Sequence, residues 1–335
     1  MPIPTFLPLL ITGIAGVAGY NAFHYFSRRY PGQVIGTRRA DNWKLSGDGI
    51  VACDSADYVA WRSLFRQYRF RGVLNCEGSC RLKSCELDPA MAWRVNVEGV
   101  RTLLDLAIEN DVRFVHLSID LVFSGSGDGE YIESDSTDPV TVYGETMVAA
   151  EELIQRCLQR ACVLRISLPM GISFSGHAGA IDWIQSRFQH GRPATLYYDE
   201  IRTPTYTDCM NEVFEAVLAN QLGGVHHAGG ERRLSLFQIA QIVNRVGGYD
   251  PDLLQGCLRR EAGPIPPRAG NVALDSRKLA QALGRPPFDP WPLSDEFVPT
   301  DDDWHCERSS AFQGSPELLG RILYRNPQKS FHTSP

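Results

Sequence analysis

Three glycines at three-residue intervals, Gly13, Gly16 and Gly19, follow an apolar segment that runs from Phe6 to Thr12. The segment reads as a strand, and the residues after the glycines read as a helix. A glycine-rich turn between a strand and a helix lets the backbone approach a pyrophosphate, which the free N–H groups at the start of the helix then bind. The pattern predicts a dinucleotide site. Its predicted members in this turn are Gly13, Ala15, Gly16 and Val17.

Short apolar runs alternate with helical patterns through the first 170 residues of the chain. Such alternation is typical of βαβ units, whose strands form a parallel sheet covered by helices on both faces. The sequence therefore predicts an α/β protein with a Rossmann-type doubly wound parallel sheet and a smaller C-terminal substrate lobe. Ligands of such folds bind at the carboxyl ends of the strands. One long helix is expected from Pro89 to Asn110.

The periodic pattern loosens after residue 170, and this change sets the predicted domain boundaries. The predicted parts are a dinucleotide-binding domain over 1–170 with 203–232 returning to it, a substrate-binding lobe over 171–202 and 233–298, and an irregular C-terminal extension over 299–335. The extension contains the acidic run Asp301 to Asp303, which reads as a solvated tail. No metal site is predicted.

The 33 basic and 39 acidic residues give the chain a net charge of −6. A nucleic-acid-binding surface needs a positive face that displaces counterions from phosphates, so no nucleic-acid partner is expected. After the glycine-rich start the chain has no apolar run of about 18 residues, and no membrane span is predicted. Nine cysteines without a Cys-x-x-Cys pair indicate a reducing compartment, so the protein is expected in the cytoplasm.

Two arginines follow the second predicted strand, where folds of this kind bind the adenosine ribose. Proteins that prefer NAD place an acidic residue there, whereas the guanidinium groups of Arg38 and Arg39 suit a 2′-phosphate. The charge predicts NADP(H) as the cofactor, and a solvated basic loop is the other interpretation. Asp54, after the third strand, is placed to hydrogen-bond the adenine amine. Cys76, at the end of the fourth strand, is expected in the same site.

Four segments of the chain resemble a known family in sequence, order and spacing. They resemble the extended short-chain dehydrogenase/reductases, and within that superfamily they are most similar to the dTDP-4-dehydrorhamnose reductase branch. The segments are LLITGIAGVAG (9–19), RVNVEG (94–99), HLSIDLVFSG (116–125) and TVYGETM (141–147). The resemblance extends from residue 6 to residue 298.

The resemblance implies a reaction in which NADPH gives hydride to a 4-keto sugar nucleotide while a tyrosine protonates the developing alkoxide. In this branch a threonine hydroxyl binds the carbonyl oxygen, and a lysine four residues after the tyrosine binds the nicotinamide ribose and stabilises the phenolate. This chain keeps the tyrosine as Tyr143 but has Ile119 at the threonine position and Met147 at the lysine position. Neither replacement donates a hydrogen bond, so weakened catalysis is expected.

Further side chains are candidates for proton transfer and for substrate binding. Glu77 lies just past the fourth strand, where a desolvated carboxyl group would have a raised pKa and serve as a proton donor. A surface carboxylate is the other interpretation. The residues expected to bind a small-molecule substrate are Asp120, Arg202, Tyr206 and Arg268.

Two functions agree with this pattern. The first is an NADP-dependent oxidoreductase that reduces a carbonyl of a nucleotide sugar or a similar small molecule with altered catalytic residues. The second is a non-catalytic NADP-binding regulatory or sensor protein, because the paired loss at residues 119 and 147 weakens chemistry and leaves the nucleotide motif intact. The superfamily commonly pairs through helices beside the active site, so a homodimer is expected.

Overall fold

The computed structural model describes residues 4–307 and 312–327. Within these ranges the strands are β1 Leu9–Ile11, β2 Val34–Arg38, β3 Ile50–Ala52, β4 Gly72–Asn75, β5 Arg113–Ile119, β6 Cys162–Ile166, β7 Pro169–Met170, β8 Ala194–Tyr197, β9 Ile201–Arg202, β10 Thr205–Tyr206, β11 Gly224–Ala228, β12 Leu234–Ser235 and β13 Leu254–Cys257. The α-helices are α1 Val17–Arg29, α2 Tyr58–Tyr68, α3 Leu82–Leu87, α4 Pro89–Trp93, α5 Gly99–Glu109, α6 Val142–Cys157, α7 Ala180–Gln189, α8 Thr207–Ala219, α9 Leu236–Val246, α10 Arg277–Leu283 and α11 Pro316–Ile322.

Seven parallel strands form the central sheet in the order β11-β6-β5-β4-β1-β2-β3. The chain runs from β1 outward to β3 and then returns to β4 on the other side of β1. This reversal opens a crevice outside the carboxyl ends of β1 and β4, which is where doubly wound folds bind their ligands. The predicted α/β class and doubly wound sheet are confirmed. The other six strands form three two-stranded sheets.

The first strand shows why the sheet has helices on both faces. Leu9 and Ile11 point into the cluster that contains Phe23 of α1, whereas Leu10 points into the opposite cluster with Trp61 of α2. All five side chains are buried. Successive residues of a strand face opposite sides of the sheet, so a strand covered on both sides consists of a continuous apolar run.

The helix predicted over 89–110 is divided in the structure. The α4 helix ends at Trp93, residues Arg94–Glu98 form a π-helical turn, and α5 begins at Gly99. A π-helical turn is rare, and many of those known lie at functional sites. Here it carries the buried side chain of Asn96.

Two short helices were not predicted from the sequence. The α3 helix forms part of the segment after β4, and its Lys83 is exposed. The α11 helix lies in the predicted extension, and Leu319 and Tyr324 are buried in the largest apolar cluster. The expectation of a wholly irregular extension is therefore wrong, because its apolar residues pack on α9. No helix of the described ranges is long and apolar enough to cross a membrane.

Candidate functional site

The start of α1 carries no capping side chain. Gly16 occupies the N-cap position, and the first turn of the helix contains no acidic residue. By contrast, side chains of Asp57, Thr141 and Ser235 cap α2, α6 and α9. The start of α1 therefore offers N–H donors and a partial positive charge to an anion in the crevice.

The glycine turn packs closely against the chain that follows β4. Gly13 has a φ of 65°, and a Cβ atom at this residue would lie 2.6 Å from the carbonyl oxygen of Cys76. The Thr12 hydroxyl donates to Asn75 Oδ1 at 2.6 Å and accepts the N–H groups of Cys76 and Glu77 at 3.1 and 3.2 Å. These bonds tie the ends of β1 and β4 together, so residue 13 has to be glycine.

The two arginines after β2 have different surroundings. Arg38 Nε donates to the carbonyl of Leu45 at 2.5 Å, so this guanidinium holds its own loop in place. The Arg39 side chain is 57% exposed and pairs with Asp41 at 2.9 Å. Asp54 accepts a backbone N–H of the same loop at 3.2 Å. Arg39 therefore has the freer guanidinium, a difference that the sequence does not reveal.

Glu77 lies beside the glycine turn, near Asp54 and Arg39. Burial raises the pKa of Glu77 to about 7, Asp54 raises it further, and Arg39 opposes the rise. The expected rise in pKa is confirmed. Its backbone packs against Gly13. The role of Glu77 as a proton donor to the carbonyl stays a prediction.

Tyr143 lies in the first turn of α6, where the Thr141 side chain caps the helix by accepting the N–H of residue 144 at 3.0 Å. The tyrosine is 8% exposed. Burial raises the pKa of Tyr143 well above its ordinary value; Cys80 and Asp120 raise it further, and Arg202 opposes them. The phenol therefore keeps its proton through the physiological pH range and can donate it.

The two replaced positions lie in the same apolar cluster as Tyr143. Met147, one helical turn further along α6, is 3% exposed, and Ile119 packs against the cluster from the end of β5. The neighbouring Ser118 is buried, and its hydroxyl has no hydrogen-bond partner within the described residues. Strand alternation points it away from Ile119, so it does not replace a threonine hydroxyl there.

A hydrogen-bonded chain joins the π-helical turn to Tyr143. Asn96 accepts the N–H of Ser79 at 2.7 Å and donates to the Thr146 hydroxyl at 2.8 Å. Thr146 in turn donates to the carbonyl of Tyr143 at 2.7 Å. The loop that carries Cys80 is thereby fixed to α6. The motif at 94–99 marked this segment in the sequence, but its bonds become visible only in the fold.

Asp120 and Arg202 form a buried ion pair at the carboxyl end of the sheet. Arg202 donates to both carboxylate oxygens, at 2.5 and 2.8 Å, and the Ser167 hydroxyl donates to Asp120 at 2.5 Å. Glu200 lies 3.5 Å from the guanidinium. The Asp120 side chain is 0% exposed, and the Arg202 side chain is 5% exposed. The sequence predicted substrate contacts for both, whereas the structure bonds them to each other beside Tyr143.

The other two predicted substrate residues differ in accessibility. Tyr206 is 1% exposed, and its hydroxyl accepts the N–H of Leu293 at 2.7 Å, so it belongs to the core. Its predicted contact with substrate is wrong. The Arg268 side chain is 25% exposed, stands 4.7 Å from the centre of the Tyr197 ring and lies 3.6 Å from Glu200. It remains available to a ligand.

The doubly wound sheet, the uncapped glycine turn and the buried tyrosine define a Rossmann-type protein of the extended short-chain dehydrogenase/reductase class. Residues 7–292 match the RmlD substrate binding domain, and the chain belongs to that family. The dTDP-4-dehydrorhamnose reductase of Mycolicibacterium smegmatis is 28% identical over 273 residues, which cover 78% of this chain and 80% of that protein.

Solved structures share the fold. A hypothetical dTDP-4-dehydrorhamnose reductase from Sulfolobus tokodaii superposes with a TM-score of 0.70 and 21% identity, covering 88% of this chain and 98% of the other. The dTDP-4-dehydrorhamnose reductase of Bacillus anthracis, solved in complex with NADP, gives a TM-score of 0.73 at 16% identity, with 94% and 97% covered.

Proposed function

We propose that the protein is an NADP-dependent reductase of a nucleotide-sugar carbonyl, similar to the dTDP-4-dehydrorhamnose reductases, with an altered set of catalytic residues. The observation that carries the proposal is the buried, protonated phenol of Tyr143 at the same edge of the sheet as the uncapped start of α1. Because β1 and β5 are parallel, the helices that follow them begin at one edge, and a dinucleotide bound at α1 extends toward Tyr143.

The residues around the crevice fit the cofactor. Uncapped N–H groups at the start of α1 suit a pyrophosphate, and Gly13 lets the turn before them pack directly against the chain that follows β4. Gly13, Ala15, Gly16 and Val17 would hold the pyrophosphate, and Arg39 the 2′-phosphate. When bound, NADPH supplies the hydride. The protein would bind both phosphate groups, and Tyr143 would supply the proton.

Proton donation is the step that the Tyr143 environment favours. Burial and the charge of Asp120 hold the proton on the phenol, which suits transfer to a developing alkoxide. The opposite step, removal of a proton from an alcohol, needs a phenolate. The positive charge of Arg202 lowers the pKa of Tyr143, but Arg202 is also ion-paired with Asp120 and Glu200. The proposed activity is therefore reduction.

Ile119 and Met147 are expected to make this reductase slow. Removing one donor from an oxyanion site costs about a hundred- to a thousandfold in rate. The charge missing at residue 147 leaves the phenolate poorly stabilised after transfer. The two losses act on one catalytic unit, so their effects do not simply add.

Two measurements test the proposal. Fluorescence titration with NADPH is expected to show saturable binding, and dTDP-4-keto-6-deoxy sugar should then cause a slow loss of reduced-nicotinamide absorbance. Ile119→Thr and Met147→Lys should increase the rate. Binding without turnover in the natural protein, together with turnover in the double variant, would identify the non-catalytic NADP-binding protein instead. Failure to bind NADPH would reject both functions.

A further inference from the structure

The ion pair of Asp120 and Arg202 is held rigidly at the end of the sheet. Both side chains are buried, and the guanidinium donates to both carboxylate oxygens. The Ser167 hydroxyl donates to Asp120 at 2.5 Å and accepts the N–H of Thr203 at 3.0 Å. Ser167 thereby bonds to the carboxylate and to the residue after Arg202, so the two charges keep a fixed position.

Backbone contacts place this pair next to the start of α6. The residue after the carboxylate is Leu121, and a Cβ atom at Gly144 would overlap its carbonyl oxygen. The residue before the guanidinium is Ile201, whose carbonyl accepts the N–H of Val272 at 3.1 Å. Leu121 and Val272 both belong to the buried apolar cluster that contains Tyr143. Each charged residue therefore neighbours, along the chain, a residue that contacts or belongs to this cluster.

The charges of the pair and the phenol act on each other. Burial raises the pKa of Tyr143, and three neighbouring groups add to this rise, namely Cys80, Asp120 and Cys85. Arg202 opposes it. Conversely, burial lowers the pKa of Arg202, whereas Asp120, Glu200 and the phenol raise it above its ordinary value. A negative charge formed on the phenol oxygen is therefore stabilised by the guanidinium and disfavoured by the carboxylate.

Other groups around the phenol contribute little charge at neutral pH. Burial raises the pKa of Cys80 and of Cys85, so both thiols keep their protons. Met147, one helical turn after Tyr143, is apolar. Burial also raises the pKa of Asp120, but the bidentate guanidinium favours the carboxylate form. Of these groups, the ion pair is therefore the one that carries charge.

We propose that the ion pair of Asp120 and Arg202 controls how readily Tyr143 gives up its proton. Arg202 is a positioning residue whose charge stabilises the phenolate, and Asp120 limits that stabilisation. In the reduction, the O–H bond of the phenol breaks, the proton passes to the alkoxide, and the negative charge stays on the phenol oxygen beside the guanidinium. This role in catalysis rests on the proposed function, whereas the control of the phenol itself does not.

Titration of the phenol tests the pair without requiring turnover. Labelling with 3,5-difluorotyrosine, whose phenol is a stronger acid, brings the ionisation into a range that ¹⁹F NMR can follow. The signal absent from Tyr143→Phe belongs to residue 143. Asp120→Asn should lower the pKa of this phenol by about one unit or more, because it removes a negative charge that acts on it. Arg202→Met should raise this pKa by a similar amount.

The rate of hydride transfer shows whether the same effect reaches the reaction. With NADPH and dTDP-4-keto-6-deoxy sugar, Asp120→Asn should react about three- to tenfold faster, since a stronger acid donates its proton more readily. A purely structural pair predicts the opposite, because an unpaired buried guanidinium destabilises the fold. Arg202→Met should react about tenfold more slowly or less, and adding Met147→Lys should recover the loss by supplying a charge from α6.

Arg202→Lys covers the case in which Arg202→Met does not fold. It keeps the positive charge without the bidentate fork, so its rate should stay within about fivefold of the natural protein. Glu151→Gln is the matched control. Glu151 forms a similarly buried ion pair with Arg165 at 2.7 Å but lies eight residues beyond Tyr143 on α6, about 12 Å along the helix. This variant should lose stability and leave the titration of the phenol nearly unchanged.

The two measurements separate this inference from the proposed function. An unchanged phenol pKa in Asp120→Asn, or a shift of the same size in Glu151→Gln, would overturn the inference. A slower reaction in Asp120→Asn would overturn the role of the pair in catalysis. If the phenol pKa shifts as expected but neither the natural protein nor any variant consumes NADPH, the control of Tyr143 by the pair is supported and the reductase function is rejected.

Discussion

At the scale of single residues, the side chains around the crevice differ most in how free they are to meet a ligand. Tyr143 keeps its proton because burial dominates its environment, and burial likewise raises the pKa of the Glu77 carboxyl group, whose backbone packs against the glycine turn. Arg38 is bonded to its own loop, whereas Arg39 is exposed. The predictions for these residues follow from their surroundings rather than from their identity.

The substitution Glu77→Gln is expected to change how stability depends on pH. The pKa of Glu77 is raised from 4.5 to about 7 in the folded protein, so between these values the folded state binds more protons than the unfolded chain. Stability contributed by this group is present at low pH and falls as the pH rises toward 7. The variant should therefore exceed the natural protein by about 3 kcal/mol at about pH 8 and by much less near pH 4.5.

Urea unfolding at the two pH values measures this difference. Glu98→Gln is the matched control, because it removes the carboxylate of an exposed glutamate. A constant difference between Glu77→Gln and the natural protein at both pH values would contradict the assignment.

Arg39→Ala should weaken binding of NADP more than binding of NAD. A charged hydrogen bond to a 2′-phosphate contributes about 1.5–3 kcal/mol, which corresponds to roughly a ten- to hundredfold loss for NADP. Arg38→Ala removes bonds within the loop and should weaken both cofactors to a similar degree. Equal losses for NADP and NAD in Arg39→Ala would show that this side chain does not meet the phosphate.

At the scale of elements, the π-helical turn between α4 and α5 joins three parts of the site. Its Asn96 bonds the loop after β4 to α6, the helix that carries Tyr143. A helix with a single extra residue in its hydrogen-bond ladder keeps nearly the same apolar period. The pattern from Pro89 to Asn110 therefore predicted one continuous helix, and the turn could not be foreseen.

Asn96→Ala is expected to lower the free energy of unfolding by about 1–3 kcal/mol, because it removes the acceptor of the Ser79 N–H and one of the two hydrogen bonds of the buried Thr146 hydroxyl. It should also slow reduction more than it weakens NADPH binding, since the loop it fixes lies beside Tyr143. The control is Asn110→Ala, which removes an asparagine bonded to its own helix end at 2.8 Å. Equal effects of the two variants on rate would contradict this role.

At the scale of the whole molecule, the sheet follows from its sequence more directly than the later parts do. Apolar runs and helical periods predicted the alternation of strands and helices that builds the central sheet, because long-range pairing there follows the βαβ rule. The α11 helix was not predicted, because it is short and its apolar residues are buried only by packing against α9. The same holds for Asp120 and Arg202. The sequence predicted that each binds substrate, and only the fold shows that their charged groups lie 2.5 Å apart.

Leu319→Ala tests whether the tail belongs to the main core. Leu319 is fully buried, so its truncation should cost about 2–5 kcal/mol of unfolding free energy. Arg321→Ala, on the exposed side of α11, should change stability by less than about 0.5 kcal/mol. Chemical denaturation of both variants gives the comparison. A neutral Leu319→Ala would mean that the helix does not contribute to the core.

The rate of hydride transfer in Tyr143→Phe tests the central claim most directly. With NADPH bound and dTDP-4-keto-6-deoxy sugar added, the natural protein should consume the reduced nicotinamide, and the variant should do so at least about a hundredfold more slowly, because it lacks the proton donor. NADPH binding should be nearly unchanged. A variant that turns over as fast as the natural protein would show that the phenol at the start of α6 is not the acid.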